Sequence, residues 1–199
     1  MIITITGNPG SGKSTIAKIL LERLKAERIY VGGMFRAMAR EKGVTLEEFN
    51  DYAQKHPDVD VDADKRAAQE ARRLEKLGRV VLAEGRMQFH LLPESIKIYV
   101  HVDSKEGARR IWSDLQATRE GIERNQKKFK SYEETLKGTL ERNITDAKRF
   151  KKLYGVDITD LKQYDFVVDT TSISAVEAAG KVLKFIESRN KPKAVKKSL

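Results

Sequence analysis

Residues 7–14 read Gly-Asn-Pro-Gly-Ser-Gly-Lys-Ser, the full G-x-x-x-x-G-K-[S/T] pattern of a phosphate-binding loop. An apolar, β-branched run, Ile2-Ile3-Thr4-Ile5-Thr6, leads into it, and a helical pattern of Ile16, Ala17, Ile19, Leu20 and Leu24 follows at once. Strand, glycine loop and helix together restrict the fold more than any other feature, because the motif works only where a strand delivers the loop to a helix N-terminus. In that setting successive backbone N–H groups wrap a β-phosphate, and the helix dipole favours the anion. Gly7, Gly10 and Gly12 let the backbone approach without a Cβ in the way. Lys13 places a cation on the β- and γ-phosphates, and the Ser14 hydroxyl is placed to ligate Mg²⁺. At ordinary residue frequencies a chain of this length matches the pattern by chance on the order of 1% of the time. The stretch Gly7, Asn8, Pro9, Gly10, Ser11, Gly12, Lys13, Ser14 and Thr15 is therefore read as the binding site for ATP, with Mg²⁺ accompanying the nucleotide.

Strand-like runs alternate with helical patterns along the rest of the 199 residues, the signature of a parallel α/β sheet. After a strand at 1–6 and a helix at 13–26, the sequence predicts a short strand at 28–31 and a helix from Gly32 to about residue 42. The capping box Thr45-Leu-Glu-Glu48 opens a helix that stops before Pro57. A long charged helix from Asp60 to Leu77 is closed by Gly78. Strands at 79–84, 96–102 and 164–169 and helices at 104–117 (capped by Ser104), 132–154 and 174–188 (capped by Ser174) complete the pattern. Five strands with helices between them give a five-stranded, doubly wound parallel sheet, whose ligands bind at the strands' C-terminal ends. Residues 1–189 read as a single domain, with no internal repeat and no linker.

The chain has no Cys, and its three His are scattered without metal-ligand spacing. No apolar run approaches the roughly 20 residues of a membrane span, and Met1 opens a strand rather than a signal peptide, so a soluble, cytoplasmic protein, most simply a monomer, is expected. The net charge is +10, and four of the positive charges, Lys191, Lys193, Lys196 and Lys197, lie in the last nine residues. Residues 190–199 read as a basic flexible tail, able at most to make weak polyanion contacts. A second basic stretch, 118–132, has little to bury and is read as the core of a mobile lid over about 118–135, with acceptor-binding helices over about 32–77.

Three features favour a small-molecule kinase among phosphate-loop proteins: the short chain, the lack of an Asn-Lys-x-Asp base-reading motif, and the basic segment between the fourth and fifth strands. The loop, then Gly-Gly-Met-Phe-Arg36, Glu-Gly-Arg86, Arg142-x-x-x-Asp146-x-x-Arg149, Tyr-Gly-Val-Asp-Ile-Thr-Asp-Leu161 and Tyr-Asp-Phe-Val-Val-Asp-Thr170 resemble, in register from Met1 to about Glu187, the cytidylate kinases of archaeal type. The resemblance implies a P-loop kinase that transfers phosphoryl from ATP to a nucleoside monophosphate, CMP or dCMP. It implies that Arg36 and Arg86 grip the acceptor's α-phosphate, that Arg142 and Arg149 hold phosphoryl groups in the reaction alongside Lys13, and that Asp146 accepts a hydrogen bond from the acceptor's sugar. Glu84 either reaches Mg²⁺ through a water or only ends its strand. Among Asp60, Asp62 and Asp64, either Asp62 or Asp64 is a candidate contact for the base's amino group. The chain departs from the family where the usual Gly-Asp is Gly32-Gly33, and where Arg86 is followed by Met87 rather than Asp or Leu.

The residues alone leave other readings open. One is an adenylate- or uridylate-type kinase, or one with a non-nucleotide acceptor. Another is an ATPase acting on RNA or ribosomes, suggested by the basic lid and tail. Only Phe129 and Tyr132 interleave with the lid's charges, which argues against a base-stacking platform, and nucleic acid is not required for the kinase reading. Lys13→Ala is expected to abolish ATP-dependent transfer and leave the fold intact, as measured by ATP consumption beside circular dichroism. Full turnover in that variant overturns the assignment of the loop.

Overall fold

The computed structural model describes residues 1–117 and 129–190. The chain runs β1 (Ile2–Gly7), α1 (Lys13–Leu24), β2 (Glu27–Tyr30), α2 (Val31–Glu41), α3 (Leu46–Lys55), α4 (Pro57–Lys76), β3 (Val81–Glu84), α5 (Gln88–Leu91), β4 (Ile96–His101), α6 (Ser104–Ala117), α7 (Tyr132–Tyr154), a 3₁₀ turn (Leu161–Gln163), β5 (Phe166–Asp169) and α8 (Ala175–Asn190). The strands form one all-parallel sheet in the order β2-β3-β1-β4-β5. After β1 the chain steps outward to β2, returns to β3, then crosses to β4 on the other side of β1. That reversal opens a crevice at the C-terminal end of β1, where an open α/β sheet takes its ligand, and the glycine loop sits there.

Alternation along each strand explains the two layers of helices. Ile2, Val81 and Ala83 face one side, where they are buried with Ile29, Phe35, Phe49, Ala67 and Ala71 under α2, α3 and α4. Ile3, Ile5, Leu82, Ile98 and Val100 face the other, against Ile16, Ala17 and Leu20 of α1 and Ala178, Val182 and Ile186 of α8. A third cluster, Met87, Phe89, Tyr99, Phe150, Val156, Ile158 and Tyr164, seats α7 beside the sheet. β1 and β3 are buried along their whole length, as strands covered on both faces are.

The expected elements form with small shifts. The helix opened by Thr45 stops before Pro57 as expected, and α4 begins at Pro57 rather than Asp60, where the fixed φ and missing N–H of proline cost nothing. Gly78 closes the helix with φ +77°, and the Thr45–Glu48 capping box is present in both directions. The cap of α6 is Asp103 rather than Ser104: its Oδ1 accepts from the N–H groups of Lys105 and Glu106 at 2.9 and 3.2 Å. Ser174 caps α8 and exchanges hydrogen bonds with Glu177. Of the expected lid, residues 118–128 lie outside the described residues, as do 191–199 of the tail, whereas Tyr132–Thr135 are the first turn of α7, capped by Ser131.

The glycine loop is wedged against backbone. A Cβ on Gly7 would lie 2.3 Å from the Val100 carbonyl oxygen, and one on Gly10, whose φ is +76°, would lie 2.2 Å from that of Gly107 in α6. From the other side, a Cβ on Gly107 would lie 2.7 Å from the Pro9 oxygen. Thr170, after β5, fastens the loop by donating its hydroxyl to the Ser11 carbonyl at 3.0 Å, and Arg110 of α6 donates to the Thr170 carbonyl at 2.6 Å. Helix propensity alone makes Gly107→Ala stabilising by about 1 kcal/mol. We expect the opposite, a loss of about 1–3 kcal/mol from overpacking together with weaker ATP binding, measured by urea unfolding and nucleotide titration.

Candidate active site

Glu84, the last residue of β3, has no exposed surface. Its Oε1 accepts from the Lys13 ammonium and, at 3.0 Å, from the Ser14 hydroxyl. Its Oε2 accepts from Arg28 of β2 at 2.6 Å. Burial pushes the Glu84 carboxyl up, but Lys13 and Arg28 more than offset this and hold it below the usual carboxylate range. The two functional side chains of the loop, Lys13 and Ser14, are therefore gathered at the strand end beneath the N-terminus of α1, whose first-turn N–H groups have no intrahelical partner.

The second half of the site, read from the sequence as the acceptor side, is built from α2, the β3–α5 connection and α7, with Asp146 of α7 at its centre. Arg86 reaches Asp146 Oδ2 at 3.1 Å, Arg149 reaches Oδ1 at 3.2 Å, and Arg142 stands 3.9 Å from Oδ2. Residues 142, 146 and 149 share one face of α7, as helical spacing dictates. Arg142 also feels the charges of Arg86, Arg149 and Arg36, so the four predicted arginines converge. Arg36 itself donates to the Tyr30 hydroxyl.

A second layer lies behind Arg149. Its NH1 is 3.3 Å from Asp60 Oδ2 of α4. One turn on, Asp64 accepts from Tyr154 at 3.0 Å and from the Gln88 amide of α5 at 3.1 Å. Asp60, Asp64 and Gln88 are buried. Asp62 is not part of this layer: it is exposed and pairs with Arg66 on the surface of α4. Burial raises Asp60 against the pull of Arg149. Burial likewise pushes Asp64 up to about 6, with Tyr154 opposing it. Asp60 Oδ2, Gln88 Oε1 and Arg149 Nε are buried without a hydrogen-bond partner among the described residues.

Comparison with known proteins bears on the family of the chain. The model of a family described as AAA domain matches residues 3–131. The cytidylate kinase of Pyrococcus horikoshii is 37% identical over 175 residues, 87% of this chain and 82% of that protein. The cytidylate kinase of Methanocaldococcus jannaschii is 38% identical over 176 residues, 86% of this chain and 89% of that protein. The chain belongs to the cytidylate kinase family. It is a nucleoside monophosphate kinase, a nucleotide-binding phosphotransferase with a P-loop, and the matches favour that reading over an RNA-dependent ATPase. The solved structure of a shikimate kinase from Acinetobacter baumannii in complex with shikimate superposes with a TM-score of 0.57 at 19% identity, covering 96% of this chain and 95% of that one. At that identity the likeness speaks for the kinase fold alone. Among the described residues no helix is long and apolar enough to cross a membrane.

The structure shows what surrounds the two positions where the sequence departs from the expected pattern. Met87 is buried in the cluster that seats α7. Gly33 lies under the Tyr30 ring, where a Cβ would be 2.8 Å from Tyr30 Cδ1. The sequence reading missed Arg28, Tyr30, Gln88 and Tyr154. Gln88 was the most visible of these, a polar residue between Met87 and Phe89.

The raised value of Asp64 has a definite sign. Its folded pKa of about 6 exceeds the unfolded value near 3.9. Ionised Asp64 therefore costs stability at neutral pH, and the cost is relieved as pH falls through 6 towards 4. Carboxyl ¹³C NMR should find this group titrating near pH 6. Tyr154→Phe removes a donor to the anion and should move the titration higher; a move downward contradicts the geometry.

Proposed function

We propose that this chain transfers the γ-phosphoryl group of ATP to the α-phosphate of CMP or dCMP. The observation that carries the reading is a pair of cationic cradles at the C-terminal edge of one sheet. Lys13 and Ser14 stand at Glu84, and Arg36, Arg86, Arg142 and Arg149 gather at Asp146. Two phosphate sites so disposed suit in-line transfer between two nucleotides. The transition state is loose, so the protein's part is positioning and charge neutralisation.

In this reading Lys13 holds the donor's β- and γ-phosphates, and Gly7 to Thr15 wrap them. Arg36 and Arg86 hold the acceptor phosphate, while Arg142 and Arg149 stabilise the transferring group. Asp146 keeps these guanidiniums together and accepts from the acceptor's sugar. The acceptor oxygen is already anionic, so no general base is needed. The Ser14 hydroxyl and the Glu84 carboxylate, 3.0 Å apart, are hard oxygen donors of the kind Mg²⁺ takes alongside substrate phosphates. Ser14 would hold the ion directly and Glu84 through water. When bound, Mg²⁺ neutralises charge on the β- and γ-phosphates.

Buried polar atoms with unused hydrogen-bonding capacity support the choice of base, although Asp60 Oδ2 is also ion-paired with Arg149 NH1 at 3.3 Å. Asp60 Oδ2 and Gln88 Oε1 are acceptors, and Arg149 Nε is a donor. Cytosine offers the complement, an amino group beside a ring nitrogen that accepts. Uracil carries a carbonyl where cytosine has its amino group and a ring N–H where cytosine has its accepting nitrogen, so in the pose that directs the cytosine amino group at these acceptors uracil would set acceptor against acceptor. Adenine repeats cytosine's edge and is separated by its size, which makes AMP the informative control. In a coupled assay with CMP, dCMP, UMP and AMP, the cytosine nucleotides should lead UMP by about 100-fold in kcat/KM, because a site built around hydrogen bonds rejects a mismatched edge. Equal use of UMP overturns the base assignment, and no transfer to any of the four overturns the function.

A further inference from the structure

We infer that Tyr30 is the positioning residue for Arg36, and that Gly33 is glycine to make room for it. The inference rests on the reading of Arg36 as a ligand of the acceptor phosphate. Tyr30 ends β2 and stands beside Glu84 in the sheet register. Its hydroxyl accepts a hydrogen bond from Arg36, and the Arg36 Cζ lies 4.8 Å from its ring centroid. The Arg28 Cζ lies 4.2 Å from the same centroid, and the Lys13 Nζ 5.9 Å. Three cations therefore surround one ring, and two of them, Arg28 and Lys13, are also bound to Glu84. The electron-rich ring attracts each cation, and the hydroxyl fixes the direction of the one that faces the acceptor.

The ring can take this place only because α2 begins with two glycines. Cβ atoms on Gly32 and Gly33 would come within 3.2 and 2.8 Å of Tyr30 ring carbons. Both glycines lie in a helix with no positive φ, so backbone freedom does not explain them and space does. At this mouth of the site the chain places an aromatic ring with a hydroxyl that accepts from the arginine. A carboxylate at position 33 would compete for Arg36 as an anion, whereas the Tyr30 hydroxyl holds it as a neutral acceptor. The guanidinium then keeps its full charge for the incoming phosphate.

Tyr30→Phe keeps the ring and removes only the hydroxyl, so it tests positioning apart from packing. We expect the KM for CMP to rise about tenfold, the size of one lost hydrogen bond to a charged group. The KM for ATP should stay within twofold, with the melting temperature unchanged. In an Arg36→Ala background the same change should have no further effect, because the two substitutions remove one interaction. A normal KM for CMP in Tyr30→Phe, or an effect that adds in full to that of Arg36→Ala, overturns the inference while leaving Arg36 in its role. A normal KM for CMP in Arg36→Ala overturns the role of Arg36 itself, and this inference with it. For the glycine, Gly33→Asp should lower the melting temperature sharply in the natural chain and much less in Tyr30→Ala. Equal losses in the two backgrounds would show that Tyr30 does not account for Gly33.

Discussion

A carboxylate without solvent, at the end of a strand buried on both faces, is costly unless every lone pair finds a donor. Glu84 answers that cost with three donors from two places: Lys13 and Ser14 from the motif after β1, and Arg28 from the edge strand β2. Apolar packing fixes where the sheet lies, but it cannot hold an ammonium and a hydroxyl at the mouth of a crevice. The buried charge does so. It ties β3 to the glycine loop and to β2, and through Arg28 and Tyr30 its influence extends to Arg36 on the acceptor side. Losing one partner of such a pair costs about 3–5 kcal/mol, so the donor half of the site and the centre of the sheet are stabilised together.

Asp146 plays a comparable part for the helical side. It gathers Arg86 from the β3–α5 connection and Arg149 and Arg142 from its own helix, and Arg149 carries the network on to Asp60 of α4. Each half of the site is thus organised by an internal anion that collects the cations proposed to bind phosphate. A second carboxylate, Asp64, lies deeper and meets a phenol and an amide rather than an arginine, which is why burial dominates its titration.

Much of this was legible in the sequence because it is local. The glycine loop, the strand periodicity, the Thr45 capping box, the closing Gly78 and the i, i+4, i+7 spacing of 142, 146 and 149 all depend on neighbours within a few residues. Strand order does not, and neither does the meeting of Asp64, Gln88 and Tyr154 from three separate helices. Which of Asp62 and Asp64 is buried turned on helix phase. With α4 running from Pro57, positions 60 and 64 share a face and 62 points away. The Tyr30–Gly33 fit was hidden for a different reason. A glycine three residues from an aromatic ring reads as a turn signal, and only the fold shows that it is a space left for the ring.

The contact between Gly10 and Gly107 bears on how this chain can vary by descent. Position 107 sits in a charged helix, outside any recognised motif, with Glu106, Arg109 and Arg110 around it engaged in ion pairs of their own. A side chain there meets the Pro9 carbonyl, and one at Gly10 meets the carbonyl of Gly107. Backbone cannot rotate out of the way as a side chain can, so no replacement at one position makes room for a replacement at the other. The surrounding charges stand outside this contact, whereas a side chain at either of the two glycines, nearly a hundred residues apart in the chain, has to displace the backbone of the other segment.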